Sequence, residues 1–408
     1  MGWPGIAIFV ATYVLISARR VARLGLDRPA GALLGAVACV VFGVLTPEDA
    51  IGAINGPTIL LLFGVMGMGA FLALDGFFES IEETLVRVAR TPARLLGIIV
   101  WGAGILGAFI TNDAVCLLGA PLVVRIVQRH GLPPLPFLLA LATAANTGSV
   151  GTLVGNPQNM LCAVLGGLSY RDHLLLVGPL AILSLALNHG LLWLFFRQVL
   201  GRAALAGRGS PSPVSRRSAL TLMVIGATAL AYTAGADLAW AATTGFVALM
   251  LLHRRDTRLL WSRIDFSLLL FFAGLFIVVE GLLRSGAPAW AFERLPLAPG
   301  GMESLGGWAR TAGIFLVGSN VVSNVPFILV IQEQVEALPE ATLAWELLTV
   351  ASTFAGNLTL LGSVANIIVA ESAREVGGLG FLDHLKVGLP LGLLTTALGV
   401  AWLYLLAG

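Results

Sequence analysis

Thr152-Leu153-Val154-Gly155-Asn156-Pro157-Gln158-Asn159 returns in altered form as Thr359-Leu360-Leu361-Gly362-Ser363-Val364-Ala365-Asn366. Each copy follows a short polar interruption of an apolar stretch, Thr111-Asn112-Asp113 before the first and Ser323-Asn324 before the second. Each precedes an Asp-His pair that opens a long apolar segment, Asp172-His173 and Asp383-His384. Three landmarks in the same order, offset by about 210 residues, mark a duplicated unit. The octets are poor material for continuous helix. Pro157 donates no backbone hydrogen bond and disfavours helix at Asn156, and Gly148, Gly151 and Gly155 weaken it further. The run from Asn146 to Asn159 is therefore expected to unwind. The second break is expected to be milder, because Val364 replaces the proline.

Composition puts these breaks in lipid. Of 408 residues, 57% are hydrophobic and only 11% charged, against about 25% charged in an ordinary soluble domain. Mean hydropathy is +0.92. The expected fold class is an all-α membrane protein with an inverted-topology repeat and two broken helices. Apolar runs long enough to cross begin near Gly5, Ala30, Thr58, Pro136, Leu174, Ala219, Leu238, Phe266, Thr342 and Val387, giving ten transmembrane helices, five per half. Two further apolar stretches, Leu95 to Ile126 and Thr311 to Ile331, are cut by Thr111-Asn112-Asp113 and by Ser319-Asn320 with Ser323-Asn324. They read as re-entrant hairpins, around 95–128 and 311–335. Irregular backbone at such depth must be covered by protein or water. The halves span 1–196 and 218–408, joined by a linker at 197–217 that holds Gly201, Gly207, Gly209, Pro211, Pro213 and five arginines.

Charge orients this topology. With the loop after the first span on one side, that side collects 20 of the 24 Lys and Arg residues, Arg28 among them. The other side holds Arg171, Arg284, Arg294 and Arg310. The positive-inside rule then puts the linker in the cytoplasm and both termini outside, in an inner (plasma) membrane. An odd number of spans per half inserts the second half upside down. The first span reads as a retained helix, not a cleaved signal. The Glu79 to Arg90 stretch has helical periodicity with one wet face, as a helix lying on the membrane surface would.

The breaks and hairpin tips carry the polar chemistry. Unwinding frees carbonyls for a small cation, and exposes half-helix N-termini that favour an anion. The expected substrate-binding residues are Thr111, Asn112, Asn156, Asn159, Ser323, Asn324, Ser363 and Asn366. The expected ion-coupling residues are Asp113, Asn146, Ser149, Thr152, Gly155, Asn357, Thr359 and Gly362. Asp113 is the one acid at a tip, and Val325 stands opposite it in the repeat. An ionisable group at membrane depth is by default a functional candidate. Glu280 instead finds Arg284 one turn on, an i,i+4 pair. His189 reads as structural. Cys39, Cys116 and Cys162 form no CxxC pair, so no metal or disulfide framework is expected. Gly102-Ala103-Gly104-Ile105-Leu106-Gly107 spells a dinucleotide loop, but it lies within an apolar arm and reads as packing. No HExxH, GxSxG or Walker A sequence is present, so no enzyme and no ATPase activity in this chain is expected. No cofactor and no nucleic acid partner is expected.

Phe109-Ile110-Thr111-Asn112-Asp113 and Gly155-Asn156-Pro157-Gln158-Asn159 resemble the motifs of the ion transporter superfamily, and nearly the whole chain shares the pattern. That superfamily includes divalent-anion/sodium symporters, citrate permeases, arsenite permeases and a group of sodium/proton antiporters. The look is closest to the arsenite-permease and related anion-permease branch. The dicarboxylate symporters carry a fuller Ser-Asn-Thr at both tips; here the tips read Thr-Asn-Asp and Ser-Asn-Val. The resemblance implies ion-coupled secondary transport of a small anion, oxyanion or arsenite by alternating access. It implies a sodium ion or proton as coupling ion, and in many members a homodimer. A sodium/proton antiporter and an anion channel are the alternatives.

Overall fold

The computed structural model describes residues 2–17, 27–201, 205, 214–297 and 302–407. Gly209, most of the linker at 197–217, and Arg19, Arg20, Arg23, Arg202 and Arg208 lie outside the described residues. Among the described residues the regular elements are all helices. The first ten are α1 (Trp3–Ser17), α2 (Arg28–Val41), α3 (Pro47–Gly52), α4 (Gly56–Leu74), α5 (Phe77–Ala89), α6 (Pro92–Ile110), α7 (Asn112–His130), α8 (Pro134–Ser149), α9 (Pro157–Gly166) and α10 (Tyr170–Phe196). The second ten are α11 (Arg216–Thr233), α12 (Leu238–His253), α13 (Thr257–Trp261), α14 (Phe266–Arg284), α15 (Ala287–Arg294), α16 (Leu305–Val322), α17 (Asn324–Glu336), α18 (Ala341–Leu358), α19 (Val364–Ser372) and α20 (Phe381–Ala407). The two series match α-helix for α-helix, down to the short α3 and α13, and among the described residues a single 3-10 turn at Ala373–Val376 follows α19 without a counterpart after α9.

Five helices are long and apolar enough to cross a membrane: α4, α6, α10, α14 and α20. The ten crossings expected from apolar runs are thus only partly visible as long helices. α1, α2 and α12 are shorter, at 15, 14 and 16 residues. Two more runs are divided, into α8 with α9 and α18 with α19. α6, expected as a marginal hairpin arm, has 19 residues and enough apolarity to cross, yet the chain reverses at its end.

The halves exchange helices. α2 packs along α14 of the other half, and α12 along α4. Glycines make both contacts close. A Cβ on Gly64 would lie 2.7 Å from the Ala242 backbone, and one on Gly274 would lie 2.9 Å from the Ala32 backbone. A second body packs α6 on α8, α16 on α18, and α10 and α18 on α20. In it, Gly107 faces the Ala145 carbonyl, where a Cβ would come within 2.8 Å. The glycines of the dinucleotide-like run are thus packing residues, except Gly102, which faces open space.

The wet face of α5 has a partner within the chain. Glu82 bonds Arg125 at 3.1 Å, and Glu83 bonds Arg129 at 2.6 Å, tying α5 to α7. The Glu280–Arg284 pair forms at 2.8 Å and extends to Asp49 at 2.7 Å. Cys39, Cys116 and Cys162 are free and buried.

Candidate functional site

Both hairpins turn on a residue that no sequence rule marks. Thr111 joins α6 to α7 at φ 77°, ψ 140°, and Ser323 joins α16 to α17 at φ 69°, ψ 150°. Side chains rarely adopt this region, and each such residue costs about 1–3 kcal/mol. The same strain at equivalent points shows that the tip geometry belongs to the duplicated unit. Ser319-Asn320, expected as a second interruption, lies inside α16. Asn320 Nδ2 donates to the Leu316 and Ala355 carbonyls, both at 3.1 Å, so the helix runs through it. Only Ser323-Asn324 breaks the chain.

The breaks follow one plan. Residues 150–156 separate α8 from α9, and 359–363 separate α18 from α19, so the second break is the shorter. Asn156 caps α9 by accepting from the Asn159 N–H at 2.8 Å, and Ser363 caps α19 by accepting from the Ala365 N–H at 3.2 Å. Asn159 Nδ2 closes the first break onto the Ser149 and Thr152 carbonyls at 3.1 and 2.9 Å. Asn366 Nδ2 closes the second onto the Gly356 and Thr359 carbonyls at 2.8 and 3.1 Å. Each asparagine then accepts across the repeat. Thr353 Oγ1 donates to Asn159 Oδ1 at 2.8 Å, and Asn146 Nδ2 donates to Asn366 Oδ1 at 3.0 Å. Both asparagines are fully buried with every polar side-chain atom engaged. They hold the breaks in shape.

The two histidines support the same breaks. His173 Nε2 donates to the Val150 carbonyl at 2.9 Å, and His384 Nε2 to the Asn357 carbonyl at 3.0 Å. His173 Nδ1 also meets Glu346 Oε2 at 2.6 Å, both side chains being almost wholly buried. A carbonyl only accepts, so the Nε2 proton is fixed. His173 Nδ1 and the Glu346 carboxylate thus form a close buried pair beside the first break. His384 Nδ1 has no such acid among the described residues.

A cavity of about 250 Å³ lies between the two bodies. Its wall includes Asn112 and Asp113 from the first tip, Ser323, Asn324 and Val325 from the second, and Ser319 and Asn320 one turn before it. Pro157 and Gln158 begin α9 here; Leu361, Gly362 and Ser363 lead into α19. Tyr13, Arg28, Phe271 and Phe272 close the other side. Of the expected substrate residues, Asn112, Ser323, Asn324 and Ser363 line this cavity; Thr111 lines the neighbouring one; Asn156, Asn159 and Asn366 lie behind the wall. Of the expected coupling residues, Asp113 and Gly362 line it. Asn146, Ser149, Thr152, Gly155, Asn357 and Thr359 do not. Thr152 Oγ1 instead donates to the Ala108 carbonyl at 2.5 Å, Ser149 Oγ to the Asn146 carbonyl at 2.8 Å, and the Gly155 carbonyl accepts from the Asn112 N–H at 2.9 Å.

The hydrogen-bond network fixes what the wall offers. Asn366 Nδ2 must face its two carbonyls, so its oxygen accepts from Asn146 Nδ2. Asn146 Oδ1 therefore accepts from Asn112 Nδ2 at 2.7 Å and from Ser363 Oγ at 3.0 Å. That leaves Asn112 Oδ1 pointing elsewhere, and it has no partner among the described residues. Asn320 Nδ2 is pinned by two carbonyls, and its Oδ1 is likewise unpartnered. Ser319 Oγ and Asn324 Oδ1 are also buried without a partner. All four residues line the same cavity. A buried polar atom with nothing to bond costs about 1–3 kcal/mol, and these four around one space can take hydrogens from water or a ligand that enters it.

Asp113 lies near the Ala365 N–H at the start of α19, and close enough to Arg28 and Asp265 to feel both charges. Val325, its repeat counterpart, is on α17, which packs on α9. There the position matching Ala365 is Gln158, and Val325 has no polar atom to accept its N–H. A second cavity of about 410 Å³ shares Asp113, Pro157, Leu268 and Val364 with the first, and runs along α7 past Thr111 and Pro121 to Glu79, Arg125 and Arg263.

Sequence reasoning missed Arg28, counted only as a loop charge, and Asn320, taken for a helix breaker. It also missed Glu346, an acid in an apolar run whose partner is 173 residues away. An acid at membrane depth is a signal in itself and could have singled out Glu346.

Comparison with known proteins agrees with this architecture. The chain is 31% identical to the silicon efflux transporter LSI3 of Oryza sativa subsp. japonica, over 92% of each chain. It is 26% identical to the putative transporter arsB of Dictyostelium discoideum, covering 96% of this chain and 90% of that one. It is 29% identical to the inner membrane protein YbiR of Escherichia coli, over 82% and 84%. The crystal structure of the Alcanivorax borkumensis YdaH transporter shares the fold, with a TM-score of 0.50 at 18% identity, covering 99% of this chain and 96% of that one. A citrate transporter family model matches residues 13–355. With most of its length under that model, the chain belongs to the citrate transporter family and is a multi-pass membrane transporter.

Proposed function

We propose that this chain is an ion-coupled secondary transporter of a small oxyacid, carried in its protonated, hydroxyl-bearing form, by alternating access. The observation that carries the reading is the set of unpartnered acceptors at Asn112, Asn320 and Asn324 beside Ser319. The Asn112 and Asn320 oxygens, fixed as acceptors by the bonds of their amide nitrogens, take hydrogen-bond donors from the ligand, and the hydroxyls of an oxyacid supply them. The N-termini of α7, α9, α17 and α19 converge on the same space and favour the ligand's oxygens. Arg28 and Asp113 are the charged side chains of the wall and cancel. A multiply ionised carboxylate would meet the acceptors with nothing to donate. Arsenous and silicic acids, largely uncharged near neutral pH, meet both demands, and the names of the LSI3 and arsB relatives are compatible with them.

The inverted repeat supports alternating access. The tips and breaks form one body with α10 and α20, and the exchanged pairs α2–α14 and α4–α12 form the other, so the cavity between them can open to either side in turn. With α6–α7 and α16–α17 as re-entrant hairpins, each half makes five crossings. The arginine-rich side is then cytoplasmic, and the second cavity, lined at one end by Arg125 and Arg263, supports reading this as an inward-open state. Asp113, at the junction of the cavities, carries the coupling proton or sodium ion.

The same acceptors beside Asp113 would also suit sodium, which prefers oxygen ligands, so sodium/proton antiport is the second reading. Purified protein in liposomes, with arsenous acid, silicic acid, citrate and sodium offered under imposed proton and sodium gradients, separates the two. Gradient-driven oxyacid flux supports the proposal. Sodium flux without oxyacid flux supports antiport, and citrate flux alone overturns the substrate class.

A further inference from the structure

Away from the central cavity, a groove of about 790 Å³ opens on the surface between the start of α6 and the end of α10. Arg94, Trp101, His189 and Trp193 line it, with Val88 of α5 at its edge. Gly97 makes room: a Cβ there would lie 3.0 Å from the His189 ring. The Arg197 guanidinium sits 5.9 Å from the centre of the Trp193 ring, just beyond the lining. Among the described residues no Asp or Glu lines the groove. Its surroundings are greasy: Ile182, Leu183, Trp193, Leu194 and Phe195 are all exposed.

We infer that this groove is a binding site for an anionic phospholipid, with the headgroup phosphate held by Arg94 and Arg197 and the acyl chains lying along α6 and α10. Exposed apolar side chains on a membrane helix are solvated by lipid, so the occupant is lipid by position, and charge selects which one. Two arginines at one end, with Trp193 one turn before Arg197, are the features that retain an acidic head on the positive side of a membrane protein. The repeat supplies an internal control. The residues matching Arg94, Trp101, His189 and Arg197 in the second half are Gly306, Gly313, Val400 and Gly408. The second half's arginine on this stretch, Arg310, falls at the place of Ile98. The basic pair is therefore no by-product of duplication. It appears only on the half whose groove faces the arginine-rich side, where anionic lipid attracts basic residues most strongly.

The site depends on the membrane placement of α6 and α10 and not on the transported substrate, so its failure would leave the transport reading untouched. Native mass spectrometry and thermal unfolding of the purified full chain test it, with phosphatidylglycerol, phosphatidylcholine of the same chains, and inorganic phosphate as separate probes. Phosphatidylglycerol should be retained and should raise the unfolding temperature. Phosphatidylcholine should do so much less, and phosphate not at all. Arg94→Gln with Arg197→Gln, both exposed side chains, should weaken phosphatidylglycerol binding on the order of ten-fold or more. Trp193→Ala should weaken it without changing the preference between heads. Equal retention of both lipids, undiminished binding by the double variant, a response to phosphate alone, or a second copy of the chain in place of lipid would each overturn the site.

Discussion

The two broken segments began as one sequence and now do different work. The first, 150–156, is buried on every side, and only Pro157 and Gln158 beyond it reach the cavity. Its histidine is braced by Glu346. The second, 359–363, presents Leu361, Gly362 and Ser363 to the cavity, and Leu361 is 52% exposed. Its histidine has no acid, because Leu139 stands where the first histidine's Glu346 would have its counterpart. The tips differ in the opposite sense: Asp113 lies near the start of α19, just beyond the second break, and its counterpart Val325 carries no charge. A duplicated frame has thus been divided into a stiff wall and a working wall, with an acid added once to each half.

That comparison can be broken most forcefully at Asp113. Asp113→Asn keeps the size of the side chain but removes the charge that α19 faces. Gradient-driven transport should fall roughly ten- to a hundred-fold, from about 1.5–3 kcal/mol of lost charge-assisted bonding. Val325→Asn, at the matching place, should change transport far less. Flux in liposomes would show it, and equal losses at both tips would remove the asymmetry.

The stiff wall is tested by stability. Asn159→Ala strands the Ser149 and Thr152 carbonyls and the Thr353 hydroxyl, and should destabilise the protein on the order of 1–3 kcal/mol. Glu346→Leu makes the first break resemble the second, leaving His173 Nδ1 as bare as His384 Nδ1. It should cost a similar or smaller amount, largely restored in Glu346→Gln, whose amide can still donate to Nδ1. Thermal unfolding in detergent distinguishes these. If Asn159→Ala unfolds like wild type and loses only substrate, the first break belongs to the binding site after all.

The smallest effect is expected outside both walls. Asp49 is held below the usual carboxylate range by hydrogen bonds from Arg284 and Thr46. A depressed carboxylate contributes stability above its unfolded pKa and loses it as pH falls through its folded value. Asp49→Asn should therefore lower the unfolding temperature slightly at neutral pH, the difference vanishing in acid. Such an exposed pair is screened by solvent and salt.

Much of this division was hidden in the sequence for physical reasons. The repeat and both breaks were legible, because glycine, proline and polar residues in apolar runs have few structural explanations. Which serine-asparagine pair turns the second hairpin was not. Ser319-Asn320 and Ser323-Asn324 are one helical turn apart and share a face, and the turn is set by a strained backbone at Ser323, for which no residue type is diagnostic. Asn159 and Asn366 stand out in the repeat equally well as ligands or as braces. Only the direction of their amides, fixed by carbonyls seven to ten residues back, tells the two apart. Arg28 reads as one more loop charge until α2 is seen to bring it to the cavity.

Ser319→Ala tests the central claim most directly. Ser319 is 1% exposed and lines the cavity, and its hydroxyl has no bonding partner among the described residues. Equilibrium binding of arsenous acid and thermal unfolding should be measured side by side on wild type and this variant. The account predicts weaker binding, by roughly ten-fold for a lost bond of about 1 kcal/mol or more, with stability unchanged or improved, since no protein partner is stranded. Unchanged binding, or a loss of stability without loss of binding, would contradict a ligand site built from the unpartnered oxygens of the working wall.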